Sequence, residues 1–255
     1  MHKAFKFRLK PTKEQEKVLI NFGGASRWIW NYMLELNQEK YKNEKKFIFK
    51  NEQCKLITGL RKQHLWLKDI YCQSLQQVCI DLDLALTNSF SKKANRKGFP
   101  KFKQKVSNED SFRIPQQNGQ IKITKNRIKI PKIGWINWIR HREIEGVIKS
   151  ITISKDIDQW YVSCLCEIDH VPETLPVLRE TSLGIDLGIK EFAVASDSKI
   201  ISNNHFLKNS EKKLVKKQKQ LSRKQFKSKN RNKARIAVAK IHRKIRNQRK
   251  DFKAL

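Results

Sequence analysis

The stretch Gly184-Ile185-Asp186-Leu187-Gly188-Ile189-Lys190 sets one carboxylate between two glycines inside an apolar alternation. On a strand, Leu183, Ile185, Leu187 and Ile189 face one side, and Gly184, Asp186 and Gly188 face the other. The glycines leave room for a metal ion or a phosphate to come close to Asp186. Magnesium prefers carboxylate oxygens. A two-metal nuclease needs such a group to bridge the ions that stabilise the attacking and leaving oxygens. The same pattern also suits a purely structural aspartate, or phosphate binding of the sugar-kinase kind, and these readings stay open on the stretch alone. Cys164 and Cys166 lie two apart on an expected strand and so share a face. No second Cys pair follows, so a buried, reduced pair is favoured over a metal site.

Cationic side chains are the second source of chemistry. The 255 residues carry 56 Lys+Arg against 24 Asp+Glu, a net charge of +32. Such an excess repels itself unless a polyanion balances it. Nucleic acid does so favourably, because each neutralised phosphate releases a counterion. Residues 207–255 hold 20 of these cations and two acids, Glu211 and Asp251. Lys212, Lys213, Lys216, Lys217, Arg223 and Lys224 form one expected phosphate-binding patch, and Arg243, Lys244, Arg246, Arg249 and Lys250 a second. The competing reading is a solvated hairpin without a partner. Lys101, Lys103, Lys105 and Arg113 interleave with Phe99, Phe102 and Phe112, a composition suited to tracking a backbone while stacking bases. Those phenylalanines would serve equally to anchor a loop. Arg27-Trp28-Ile29-Trp30-Asn31 is similarly open, with Trp28 favoured as a core residue.

The elements that must position these groups follow from periodicity. Lys3 to Leu9 alternates and predicts a strand, which Pro11-Thr12 stops. Thr12 with Gln15 fits a capping box for a helix carrying Val18, Leu19, Phe22, Ala25, Trp28, Ile29, Tyr32, Met33 and Leu36, with a break or kink at Gly23-Gly24. A further helix carries Leu75, Val78, Cys79, Leu82, Leu86 and Phe90. Gly98-Phe99-Pro100 changes the architecture. Beyond it come a hairpin turning at Lys125-Asn126 and strands near residues 135–139, 148–153 and 160–166, which suggest a small antiparallel β-barrel completed by the first strand. Residues 171–176 read as a linker, followed by a three-strand meander and two basic helices joined near Ser228-Asn230. No apolar run approaches the roughly 18 residues of a membrane span. The N-terminus alternates instead of forming a signal-peptide core. The expected location is the cytoplasm, without a membrane partner.

Several ordered stretches resemble one family. Phe7-Arg8-Leu9-Lys10-Pro11-Thr12-Lys13-Glu14-Gln15 is similar to the opening of TnpB/OrfB proteins of insertion sequences. Phe99 to Lys103, Asp110 to Arg113, Ile130 to Trp135, His141 to Gly146 and Leu183 to Lys190 continue the series in order. The resemblance implies an α+β multidomain protein: a helical recognition lobe (residues 12–97) inserted in a wedge-like β-barrel (1–11 and 98–172). The N-terminal part of a RuvC-like nuclease domain of RNase H fold (181–255), with its basic helices, follows. It implies an RNA-guided, Mg²⁺-dependent DNA endonuclease of the kind usually called a transposase, acting with DNA and a guide RNA. In that resemblance Asp186 matches the first catalytic, metal-binding aspartate. The family's later catalytic Glu and Asp, and its zinc ribbon, have no counterpart here. The acids after Asp186 are Glu191, Asp197, Glu211 and Asp251, and none sits in a matching motif. The expectation is a C-terminally truncated nuclease, inactive alone, a remnant or the partner of a separately encoded C-terminal half. The alternative is a nuclease-inactive regulator or RNA-binding module.

Overall fold

The computed structural model describes residues 1–91, 98–105, 111–169, 182–188, 190–203 and 206–251. It divides into two units, Met1–Val171 and Pro172–Leu255. The linker expected at 171–176 lies outside the described residues, as do Asp110 and Ile189.

In the first unit, β1 (His2–Lys10) alternates as its sequence requires, burying Phe5, Phe7 and Leu9. Thr12 then caps α1 (Lys13–Glu44) with the expected box. Its hydroxyl accepts from the Gln15 amide at 3.2 Å, and the Gln15 side chain accepts from the Thr12 amide at 3.1 Å. The helix runs unbroken for 32 residues, correcting the kink expected at Gly23-Gly24. Gly23 is buried on the packed face, so absence of a side chain serves close packing there, not bending. Periodicity alone did not single out α2 (Lys50–Gln63) within the helical segment. It is held by two buried amides. Asn37 of α1 accepts from the Ile48 amide at 2.8 Å, and Gln53 donates to the Ile48 carbonyl at 2.6 Å. A 3₁₀ turn (Leu65–Asp69) leads to α3 (Cys72–Phe90), which buries Leu75, Val78, Cys79, Leu82 and Leu86.

The remaining strands are β2 (Ser111–Pro115), β3 (Lys122–Ile123), β4 (Arg127–Ile130), β5 (Gly134–Ile139), β6 (Val147–Asp156) and β7 (Gln159–Glu167). With β1 they form one antiparallel sheet in the order β2-β6-β7-β1-β5-β4-β3. The first strand does join these strands, at the centre of the sheet, between β5 and β7. The sheet is open among the described residues, however, and this corrects the closed barrel. Closure is dispensable because helices cover the apolar face near one edge, where Phe22 of α1 meets Phe112 of β2 at 5.1 Å between ring centroids. Sheet and helices share one core. Gly146 is required beside β7. Its φ is +79°, and a Cβ there would lie 2.0 Å from the Glu167 carbonyl oxygen.

In the second unit, β8 (Ile185–Leu187), β9 (Glu191–Ala195) and β10 (Ile200–Ser202) form the expected antiparallel meander, in the order β10-β9-β8. Two helices follow, α4 (Phe206–Ser222) and α5 (Lys229–Asp251), packed as a hairpin. The joint falls slightly earlier than expected, because Ser228 caps α5: its hydroxyl accepts from the Arg231 amide at 3.1 Å. Among the described residues, the buried apolar side chains here are Ala193, Val238 and Ile245.

Candidate nucleic-acid interface and the Asp186 strand

Asp186 sits in the middle of β8, opposite Val194 of β9. Ile185, Asp186 and Leu187 are all exposed. The flanking glycines serve the chain itself. A Cβ on Gly188 would lie 2.9 Å from the Glu191 carbonyl oxygen, inside the tight β8–β9 connection. Gly184 lies against Ser196, whose hydroxyl accepts from the Gly184 amide at 3.1 Å. Backbone close to Gly188 and the Ser196 side chain close to Gly184 thus account for small residues at these two positions.

Other carboxylates do not gather on this strand. Asp197 is engaged by Lys199 at 2.8 Å, and that charge-assisted bond holds its carboxyl below the usual range. Among the described residues no group of three His, Cys, Asp or Glu side chains could hold a metal. One exposed carboxylate is a poor fit for a Mg²⁺ pair. Cys164 and Cys166 are both buried and free, facing the core of the large sheet. Burial, with Cys166 beside it, pushes the Cys164 thiol up to about 12, which keeps it protonated and unreactive at neutral pH.

The cations are displayed more fully. Lys212, Lys213, Lys216 and Lys217 are exposed along α4, and Arg223 and Lys224 continue them where the helix ends. Leu214 and Leu221 are half-buried on the seam with α5, where Val238 and Ile245 are buried. At one end of the seam the buried Ser210 hydroxyl donates to Gln248 at 2.8 Å. On α5, Lys244 and Arg246 are exposed and Arg243 is half-buried. At the joint, Arg231 donates to the Lys224 carbonyl at 3.0 Å and lies over the exposed Phe226 ring. The hairpin thus holds two lysine- and arginine-rich flanks on a thin apolar seam, a geometry for successive phosphates.

The Lys101–Lys105 run is strapped to α1 by residues whose role had no local signal. Trp30 donates from Nε1 to the Lys101 carbonyl at 3.0 Å. Asn31 clamps Lys103 at both backbone atoms, donating to its carbonyl at 2.9 Å and accepting from its amide at 2.7 Å. The Lys103 ammonium lies 3.9 Å above the Trp30 ring centroid. Lys101, Lys103 and Lys105 are exposed. Arg113 points instead to Asp81 of α3, at 3.5 Å. The phenylalanines divide: Phe112 is core, Phe99 lies 6.4 Å from the Phe47 ring, and Phe102 is exposed. Trp28 is half-buried, stacked on Tyr32 and edge-on to His64 and Trp66.

The first turn of α1 is bolted to the sheet. Glu16 accepts from Lys155 at 2.9 Å and from Trp160 at 3.2 Å. The Lys155 bond is the main cause holding the Glu16 carboxyl below its ordinary value, with burial opposing it. Gln15 adds a bond to the Trp135 carbonyl at 2.8 Å.

No described helix is long and apolar enough to cross a membrane. Two family models match this chain: the OrfB-type helix-turn-helix domain over residues 1–46, and the OrfB-type probable transposase over 163–254. Within residues 1–46 the structure holds one strand and one continuous helix. Among relatives, InsQ of Escherichia coli (strain K12), named as an RNA-guided DNA endonuclease, is 33% identical over 98% of this chain and 61% of its own length. A protein of Streptomyces pristinaespiralis with the same description is 28% identical over 98% of this chain and 62% of its own. The virulence protein VsdF of Salmonella dublin is 29% identical over 41% of this chain and 95% of its own. The chain therefore spans about three fifths of the length of the first two relatives. Matched at both ends by models of one family and along nearly its whole length by those relatives, the chain belongs to the TnpB/OrfB family of insertion-sequence transposases.

Proposed function

We propose that this polypeptide is the nucleic-acid-gripping portion of an RNA-guided DNA endonuclease that serves an insertion sequence. In this reading residues 12–97 are a recognition lobe set into the sheet of 1–11 and 98–172, and 181–255 begin a RuvC-like nuclease domain. Its ligands are DNA and a guide RNA. The observation that carries the reading is the run of exposed cations on α4 and at its end, Lys212, Lys213, Lys216, Lys217, Arg223 and Lys224. Arg243, Lys244 and Arg246 of the same unit, and separately Lys101, Lys103 and Arg113 of the first unit, are proposed contacts to other phosphates.

Asp186 is the proposed first metal-binding carboxylate, and Mg²⁺ the proposed ion. One carboxylate cannot hold two Mg²⁺ ions, so no cleavage step is assigned to the residues of this chain. A separately encoded C-terminal half is the proposed source of the missing ligands. The second reading is a nuclease-inactive regulator that binds nucleic acid without cutting it.

Filter binding of the purified chain to a DNA duplex across a salt series tests the first claim. Six phosphates neutralised give a slope of log K against log salt of roughly −5. A flat response removes the electrostatic account. Incubation with Mg²⁺ tests the second: DNA stays intact with the chain alone, and a cut that Asp186→Asn abolishes disproves the proposed inactivity.

A further inference from the structure

The first unit contains a groove that takes in Lys105, at the end of the basic strap described above. It lies between α1, the 3₁₀ turn and the ends of the Lys101–Lys105 and Ile130–Gly134 segments, and has a volume of about 650 Å³. That is the size of clefts that take small ligands, about 300–1,000 Å³. Its lining is a mixture with a chemical meaning. Trp66 forms a wall and is 45% exposed, large for a tryptophan without a partner surface. Trp28 meets it edge-on at 5.5 Å, with the rings at 79°, so the wall is braced by the core. Arg27, Lys105 and Lys132 bring three cations to the rim, against one acid, Asp69. On the α1 side Gly24 leaves the groove floor without a side chain.

We propose that this groove receives one unpaired nucleotide, its base stacked on Trp66 and its phosphate held by the cationic rim. This deepens the nucleic-acid reading above and rests on it. A base inside a duplex spends both faces on its own stack, whereas an unpaired base offers a free π-face to an aromatic wall. Three cations suit the phosphate. A carboxylate only accepts hydrogen bonds, so Asp69 suits a base edge that carries an amino group over uracil or thymine.

The test uses the whole chain and a DNA duplex with a short single-stranded tail carrying 2-aminopurine, compared with the same duplex blunt-ended. Stacking on Trp66 quenches 2-aminopurine emission, and the tail binds about tenfold tighter than the blunt end, the yield of one stacked base. Trp66→Ala removes the quench and the tail advantage while blunt-duplex affinity holds. Gly24→Leu gives the same loss by filling the groove. It guards against a folding artefact, because leucine favours a helix interior more than glycine does, and the nearest atom to a Cβ there is an Arg27 nitrogen at 3.8 Å. Retention of the tail advantage in both variants overturns the proposal and leaves the nucleic-acid reading standing. Displacement of the tail by polyglutamate as readily as by oligonucleotide also overturns it, marking a general polyanion groove. Failure of the native chain to bind any oligonucleotide removes both claims together.

Discussion

Glu16 is the residue at which helix, sheet and pH meet. Its carboxylate accepts from Lys155 and Trp160, and the Lys155 bond lowers its folded pKa below the ordinary 4.5. A depressed carboxylate contributes stability that is present above the unfolded pKa and lost as pH falls through the folded one. Water screens the partly exposed Glu16 carboxylate, so Glu16→Gln costs less than about 1 kcal/mol near neutral pH. In thermal melts the gap between native and variant should narrow below about pH 4. A gap that stays constant into acid would show that charge plays no part in this bond. Glu16 could not be read from sequence, since its partners lie 139 and 144 residues away. The Thr12–Gln15 box was legible because both partners sit within one turn. Asp186 stands between these cases: its strand and neighbours could be foreseen, but the atoms that occupy the space beside its glycines could not.

At the scale of elements, α1 acts as the mount for a basic strap. Asn31 grips Lys103 through two hydrogen bonds, and Trp30 holds Lys101 through a third. Asn31→Ala should free the Lys101–Lys105 run and lower oligonucleotide affinity roughly threefold, less than 1 kcal/mol. Unchanged binding with the fold intact would show that the strap does not touch the ligand. Strands and helices with strong local periodicity were legible: β1, the hairpin at Lys125-Asn126, β5 to β7, α3 and the meander of the second unit. Whether the large sheet closes was not, because closure depends on which edges meet, and no residue pattern within β2 or β3 encodes that. α2 escaped notice for a different reason. Its packed face uses a polar Gln53 beside Ile57 and Leu60, so the apolar stripe that announces a helix is thin.

Across the whole molecule, core is distributed unevenly. Residues 1–171 share one extensive apolar core, whereas the described residues of the second unit bury little apolar surface beyond Ala193, Val238 and Ile245. A region with few buried apolar contacts opens at low free energy. Limited proteolysis should thus cut first within residues 182–251 and leave a resistant fragment carrying the large sheet. Added oligonucleotide should slow cleavage of the basic hairpin. Equal resistance of both units in the absence of ligand would contradict this. The large sheet also has a history written into its strand order. β1 leaves the ribosome well before both of its neighbours, β5 and β7, and His2 pairs with Glu167. Until those strands are synthesised, Phe5, Phe7 and Leu9 have no sheet to enter, while α1, α2 and α3 can form from nearby contacts. Such distant pairing slows folding and leaves apolar surface open to chaperones or to misassembly in the interval. Residues 1–46 are for that reason no autonomous module: their strand can be completed only by chain made roughly a hundred residues later, at the far end of the same unit.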